Sequence, residues 1–171
     1  RLMSALPIPA RGIVISHCEV LPAWLDYNQH MNVAYYLVAF ELGIDDYKAI
    51  VGLDLAYIER ELRSTVALES HITFQNEASL GEKLRVETRI IDFDGKRAHI
   101  YQELFRGETL LATQETLSIS FDLKARRSAP FEAHIATGYR ELMAAQANLE
   151  RPKWVGRSIG IGKGKPGQSV S

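Results

Sequence analysis

A single cysteine, Cys18, occurs in the chain. No disulfide can close within it, so the fold rests on its apolar interior, and a reducing compartment, the cytoplasm, is the expected setting. An excess of charge of one sign is missing as well: 20 basic residues stand against 21 acidic ones, a formal net charge of −1. No basic run or face dominates, which argues against a nucleic-acid binder. The five histidines, His17, His30, His71, His99 and His134, show no metal-ligand spacing, so no metal site is expected. No apolar core of signal-peptide length precedes Arg11, and no leader is expected. The longest apolar stretch, residues 33–51, is cut by Glu41, Asp45, Asp46 and Lys48. Charges at that depth are costly in a bilayer, so the stretch is expected inside a protein and not across a membrane. The run Gly160-Ile161-Gly162-Lys163-Gly164-Lys165 lacks the spacing and the following helix of a phosphate loop.

The 171 residues, 46% hydrophobic and 24% charged, suit one ordinary globular domain. Residues 1–11, with Pro7 and Pro9, read as an N-terminal arm, residues 12–150 as the domain, and residues 151–171 as a tail whose last ten positions are expected to be mobile. Residues 12–21 read as a first strand ended by Pro22, and residues 22–32 as a polar turn. Asn32 is a suitable N-cap for a helix that runs to about Val51 and stops at Gly52. A loop or short helix follows over 53–63, then four strands over 65–74, 83–90, 97–105 and 109–122. The run Lys83-Leu84-Arg85-Val86-Glu87-Thr88-Arg89-Ile90 alternates with period two, and Asp94-Gly95 is a hairpin signal. Residues 130–149 read as an amphipathic helix with Ile135, Tyr139, Leu142, Met143, Gln146 and Leu149 on one stripe. The helix at 33–51, in contrast, is apolar almost all round and belongs in the interior. It needs a curved sheet around it and a further cover, either a second subunit or the chain's own terminal helix. The fold class is α+β.

Asp26 lies in the turn Asp26-Tyr27-Asn28-Gln29-His30-Met31-Asn32, just before that helix. A carboxylate beside the unpaired amides of a helix start suits attack on an acyl group. The competing reading of Asp26 is an Asx-turn or cap. His30, four residues on, would orient the aspartate or, more commonly, shape the turn. Asn32 is a cap first and a substrate contact second. Asn28 and Gln29 are candidates to position a water or touch the acyl group. Glu41, two turns into the apolar helix, needs a partner or a pocket if it is buried. Glu69 would face either a pocket or solvent. Trp24, Tyr27, Tyr35 and Tyr36 cluster around the turn, and aromatic faces of this kind hold quaternary ammonium groups. Cys18 and His17 are adjacent on a strand and point to opposite faces, so thiol chemistry is not expected.

The Asp-x-x-x-His-x-Asn turn before an apolar helix, followed by an antiparallel meander, resembles the hot-dog-fold acyl-CoA thioesterases of the 4-hydroxybenzoyl-CoA thioesterase-like group. The stretch from Pro22 through Tyr36, the run Leu68-Glu69-Ser70-His71-Ile72 and the ending Gly156-Arg157-Ser158-Ile159-Gly160-Ile161 are similar to betainyl-CoA thioesterases of carnitine breakdown. The resemblance implies a sheet wrapped around one helix, a homodimer often paired into a dimer of dimers, and active sites at the subunit boundary. It implies an acyl-CoA substrate, with coenzyme A arriving as part of that substrate and no separate cofactor. Asp26 would be nucleophile or general base, and the amide of Val33 or Ala34 would bind the oxyanion. Glu41 would be the alternative catalytic carboxylate. Lys96, Arg97, Arg126 and Arg127 are the candidate cations for the coenzyme A phosphates. The family's glycine between aspartate and histidine is Gln29 here. Glutamine tolerates positive φ poorly, so either the turn differs or Gln29 places an amide in the pocket. A hot-dog hydratase or dehydratase and a non-catalytic acyl-CoA sensor are the rival functions.

Overall fold

The computed structural model describes residues 6–161. The elements follow in the order β1 (Val14–Glu19), a 3-10 turn (Pro22–Trp24), α1 (Val33–Ile50), α2 (Leu55–Glu61), β2 (Arg63–Phe74), β3 (Lys83–Phe93), β4 (Arg97–Arg106), β5 (Thr109–Asp122), β6 (Arg127–Ser128) and α3 (Ala133–Ala145). All strands share one antiparallel sheet in the order β1-β3-β4-β5-β2, with β6 paired to the end of β5. The α+β architecture is therefore as the sequence implies.

Local chemistry sets the boundaries. Asn32 caps α1 by accepting the Ala34 N–H at 3.0 Å, and the chain leaves the helix through Gly52 at φ +85°. Asp94 closes the β3–β4 hairpin by accepting the Lys96 and Arg97 N–H groups at 2.9 and 2.6 Å. Those two amides, with the Arg97 guanidinium, lower the Asp94 pKa from the usual 3.8 to about 2. Gly95 at φ +86° supplies the left-handed step.

One expectation needs correction, and two further features emerge. The last helix is shorter than 130–149: Phe131 is drawn to the β3–β4 hairpin by its N–H bond to Gly95 O (3.0 Å), and the chain turns again after Gln146. The two-residue β6 carries too little pattern to register in a sequence. Most important, α1 is not enclosed within one chain. It packs on β1, β3 and β4 through Tyr36, Ala39, Phe40, Gly43, Ile44 and Tyr47. Its opposite face leaves Val33, Leu37, Val38 and Leu42 exposed. α3 covers only the C-terminal end of α1, where Tyr139 meets Tyr47 and Gly138 lies against Val51.

The core falls into two clusters along α1. One gathers Tyr47, Val51, Ile90, Ala98, Ile135, Tyr139 and Leu142 at the C-terminal end. The other gathers Val20, Trp24, Met31, Tyr36, Phe40, Leu84 and Leu104 under the Asp26 turn. Gln102 donates to Phe40 O at 2.8 Å and to Thr88 Oγ1 at 3.0 Å, pinning the middle of α1 to the sheet. Gly43 makes that approach possible, because a methyl there would stand 2.7 Å from Val86 Cγ1.

Candidate active site

The segment 24–32 folds back on itself as a short ladder. Asn32 N–H donates to Trp24 O (2.8 Å) and Asp26 N–H to His30 O (2.9 Å), with a bridge between Leu25 and Met31. The Asp26 side chain closes the loop: Oδ1 accepts the Asn28 N–H at 2.8 Å and the His30 N–H at 3.4 Å. The Asx-turn reading is thus correct for Oδ1. Among the described residues Oδ2 has no hydrogen-bond partner, so the same turn that fixes the carboxylate leaves one oxygen free to react.

Asp26 stands opposite His30 in this ladder, and His30 is three residues before Val33, the first residue of α1. Of the two candidate amides, Ala34 N–H is committed to the Asn32 side chain. Val33 N–H donates to nothing among the described residues, stands at the positive end of α1 and is exposed. Of the two, Val33 N–H is therefore the amide left without an acceptor among the described residues.

Gln29 adopts φ +64°. The family's turn is kept with a non-glycine residue in the left-handed region, at a cost of roughly 1–2 kcal/mol. Its side chain is exposed, as is that of Asn28. The His30 backbone serves the turn, and its Nδ1 lies 3.4 Å from Glu77 Oε2.

Several sequence candidates sit elsewhere than expected. Trp24 is only 8% exposed and belongs to the core, stacked on Tyr35 at 5.5 Å. The 3-10 turn aims it inward, so it supports the site without lining it. Tyr27 is 92% exposed. Tyr36 is buried, packs edge-on against Phe74 and donates to Asn76 O. Glu41 is exposed on the uncovered side of α1, so no buried charge has to be offset. Glu69 projects from the opposite face of the sheet. There it lines a cavity of about 530 Å³ with His71, His99, Glu115, Arg157 and Ile159. A bulge between Ala67 and Glu69 resets the alternation of β2 at this point.

The proposed coenzyme A cations do not converge on Asp26 within one chain. Lys96 and Arg97 lie on the β3–β4 hairpin, Arg126 on the turn after β5 and Arg127 at the start of β6, toward the far end of α1. An 18-residue helix separates the ends by about 27 Å. Arg97 is also engaged by Asp94 at 2.7 Å.

Sequence reasoning missed the His99–Glu115 pair (2.7 Å), whose Glu115 Oε2 also accepts Gly156 N–H (2.8 Å). A register shift between Leu104 and Phe105 separates that diagonal pair from the Arg106-Gly107-Glu108 turn, so no local sequence signal pointed to it. Also missed was the loop from Asn76 to Glu82, against which the Asp26 turn rests. Among the described residues no group of three metal-binding side chains occurs, and no helix is long and apolar enough to cross a membrane.

The family model described as "Thioesterase-like superfamily" matches residues 20–138, most of the chain, including the Asp26 turn and all of α1. The chain belongs to the thioesterase-like superfamily. Within it, the chain is 36% identical over 145 residues to the betainyl-CoA thioesterase of Pseudomonas aeruginosa, covering 83% of this chain and 91% of that protein. It is 34% identical over 136 residues to the L-carnitine dehydrogenase/betainyl-CoA thioesterase of Ruegeria pomeroyi, covering 80% of this chain and 28% of that protein. A Staphylococcus aureus protein solved in complex with CoA superimposes with a TM-score of 0.83 at 28% identity, over 88% of this chain and 96% of that one. A putative thioesterase from Pseudomonas putida gives a TM-score of 0.75 at 30% identity, over 94% of this chain and 99% of that one. The hot-dog fold read from the sequence is thus shown, and this thioesterase-like chain is a thioester hydrolase.

Proposed function

We propose that this thioesterase-family chain hydrolyses betainyl-CoA to betaine and free coenzyme A at a site shared by two copies of the chain. One observation carries the mechanism: a carboxylate with one oxygen fixed by its own turn and the other free among the described residues, in a turn that leads directly into an unoccupied helix-start amide. Asp26 Oδ2 attacks the thioester carbon or removes a proton from an attacking water. The carbonyl oxygen gathers negative charge and is held by Val33 N–H and the positive end of α1. Collapse of the tetrahedral centre expels the coenzyme A thiolate. In the nucleophilic route, water then cleaves the resulting anhydride. Hydrolysis of this kind calls for no cofactor.

The substrate reading rests on the betainyl-CoA relatives together with the exposed Tyr27 ring and the half-exposed Tyr35 beside the turn. A trimethylammonium group gains about 0.5–2 kcal/mol from each aromatic face. The homodimer rests on the uncovered face of α1 and on β2. This 12-residue strand ends the sheet and exposes Val66 and Leu68. A long, unpaired, apolar edge is a template for strand addition. Antiparallel pairing of two β2 strands about a two-fold axis would also set the helices antiparallel. The partner's hairpin and β5–β6 turns, with their Lys96 and Arg126, would then approach Asp26. A dimer of dimers in the cytoplasm completes this reading.

The test is thiol release across a panel of acyl-CoAs, run with wild type and Asp26→Asn. The wild type is expected to turn over a trimethylammonium acyl-CoA best, and Asp26→Asn to lower kcat by about 10²–10⁴-fold. A folded Asp26→Asn protein with wild-type turnover would remove the assignment. Water addition to an enoyl-CoA without thiol release would instead indicate a hydratase.

A further inference from the structure

Among the described residues, the polar contacts that tie the Asp26 turn to a distant part of the chain go to one loop. Met31 N–H donates to Ala78 O at 2.8 Å, His30 bridges to Ser79, and His30 Nδ1 faces Glu77 at 3.4 Å. Residues 77–79 belong to neither β2 nor β3 and so have no extended ladder of their own. Side chains fix this loop. Glu82 Oε2 accepts the Ser79 N–H at 2.9 Å. Arg106 Nη1 lies 3.0 Å from each Glu82 oxygen and 3.3 Å from Glu77 O. Tyr36 reaches from α1 to Asn76 O, and the Asn76 amide donates to Leu110 O.

Arg106 is the last residue of β4, and its backbone is paired with Thr109 of β5. Its guanidinium therefore starts from a fixed point in the sheet. It is 39% exposed and Glu82 is 26% exposed, so the pair is partly desolvated. A continuous chain of contacts runs from the sheet through Arg106 and Glu82 to residues 77–79, then through Met31 and His30 to Asp26 Oδ1. Without the cation, the Glu82 carboxylate that fixes the Ser79 N–H loses its ion-pair partner, and Glu77 O loses a donor.

We propose that Arg106 and Glu82 are positioning residues for hydrolysis: together they clamp the 77–79 loop and so hold the Asp26 carboxylate at the distance from Val33 N–H that the reaction needs. This rests on Asp26 as the reacting carboxylate. A displacement of about 1 Å in a reacting group costs on the order of 10²-fold in rate. A clamp of this kind acts on kcat, because it works through the placement of the Asp26 carboxylate.

The experiment compares wild type, Arg106→Ala, Arg106→Lys and Glu82→Gln, each alone and with Asp26→Asn, by steady-state thiol release on the best acyl-CoA substrate. Backbone amide exchange over residues 26–32 is followed in the same proteins. Arg106→Ala is expected to lower kcat by about 10–100-fold while KM changes less than about threefold. Arg106→Lys, which restores the charge, is expected to recover most of the rate, and Glu82→Gln to fall between. In the Asp26→Asn background none of them should lower the residual rate further, and in the Asp26 proteins exchange of the Met31 amide should quicken. Unchanged kcat in folded Glu82→Gln and Arg106→Ala overturns the clamp, as does an equal loss in the Asp26→Asn background. Should Arg106→Ala not fold, Glu82→Gln and Arg106→Lys decide alone. A wild type without thiol release, or an undiminished Asp26→Asn, overturns the site assignment itself and is read separately from the amide exchange.

Discussion

Gly43 sits in the middle of α1, where helix propensity alone favours alanine by about 1 kcal/mol. The structure predicts the opposite sign for Gly43→Ala. The added methyl would stand 2.7 Å from Val86 Cγ1, 2.9 Å from Gln102 Nε2 and 3.1 Å from Thr88 Oγ1. All three neighbours are buried in the sheet beneath the helix, so none can swing out to solvent. Forcing a methyl into such a space costs about 1–3 kcal/mol. Displacing the Gln102 amide also stretches its 2.8 Å bond to Phe40 O. A buried donor left short costs about a further 1–3 kcal/mol. Set against the propensity gain, the net loss is about 1–5 kcal/mol, centred near 3. For a chain of this size that corresponds to a fall in Tm of about 6–12 °C. The measurement is thermal unfolding at matched protein concentration, with Gly43→Ala/Val86→Ala expected to recover part of the loss. A Gly43→Ala protein as stable as wild type would show that α1 has slack against the sheet, refuting the close approach argued for it.

Other outcomes follow from the same geometry. Gln29→Gly relieves about 1–2 kcal/mol of left-handed strain but adds about 0.5–1 kcal/mol of unfolded-chain entropy. A small rise in Tm with unchanged kcat is expected, and a fall in either would show that the Gln29 side chain makes a contact in the working assembly. Burial, offset in part by Tyr101 and Arg89, raises the Glu103 pKa above the usual carboxylate value. The folded state then holds that proton more tightly than the unfolded chain, so the contribution of Glu103 to stability is fully present at acid pH and is lost as pH rises through the raised value. Glu103→Gln is accordingly expected to raise Tm at pH 7 and to match wild type near pH 3; an equal shift at both pH values would point to a cause other than charge. Leu42→Glu, on the uncovered face of α1, should leave the fold of each chain within about 0.5 kcal/mol. If that face joins two copies, light scattering will report monomers and thiol release will fall; an intact, active dimer would place the interface elsewhere.

How much of this was legible in the sequence depended on how local each cause was. Asn32 as cap, Asp26 as an Asx-turn, the Asp94-Gly95 hairpin and the alternation of β3 are decided within a few residues, and each stands where the sequence placed it. The burial of α1 was not legible, because an all-round apolar helix has the same periodicity whether a sheet, a third helix or a second chain covers it. Trp24 was misread for a related reason: a 3-10 turn, which no nearby pattern announces, sets its direction. Glu69 could not be assigned a face, since one bulged residue reverses every side chain beyond it. The support beneath Asp26 joins residues near 30, 80 and 106, and such long-range contacts leave no mark on any one segment. Gln29 is the reverse case, where a residue unsuited to its backbone conformation was flagged by sequence and the backbone keeps that conformation regardless.

Residues 151–161 run over the back of the sheet on few polar attachments, chiefly Arg89 to Glu150 O at its start and Gly156 to Glu115. Exposed, irregular backbone of this sort is where a protease finds its first cut. A nick there would shed the strap, uncover His71 and His99 to water, and leave the Asp26 turn, α1 and both core clusters intact.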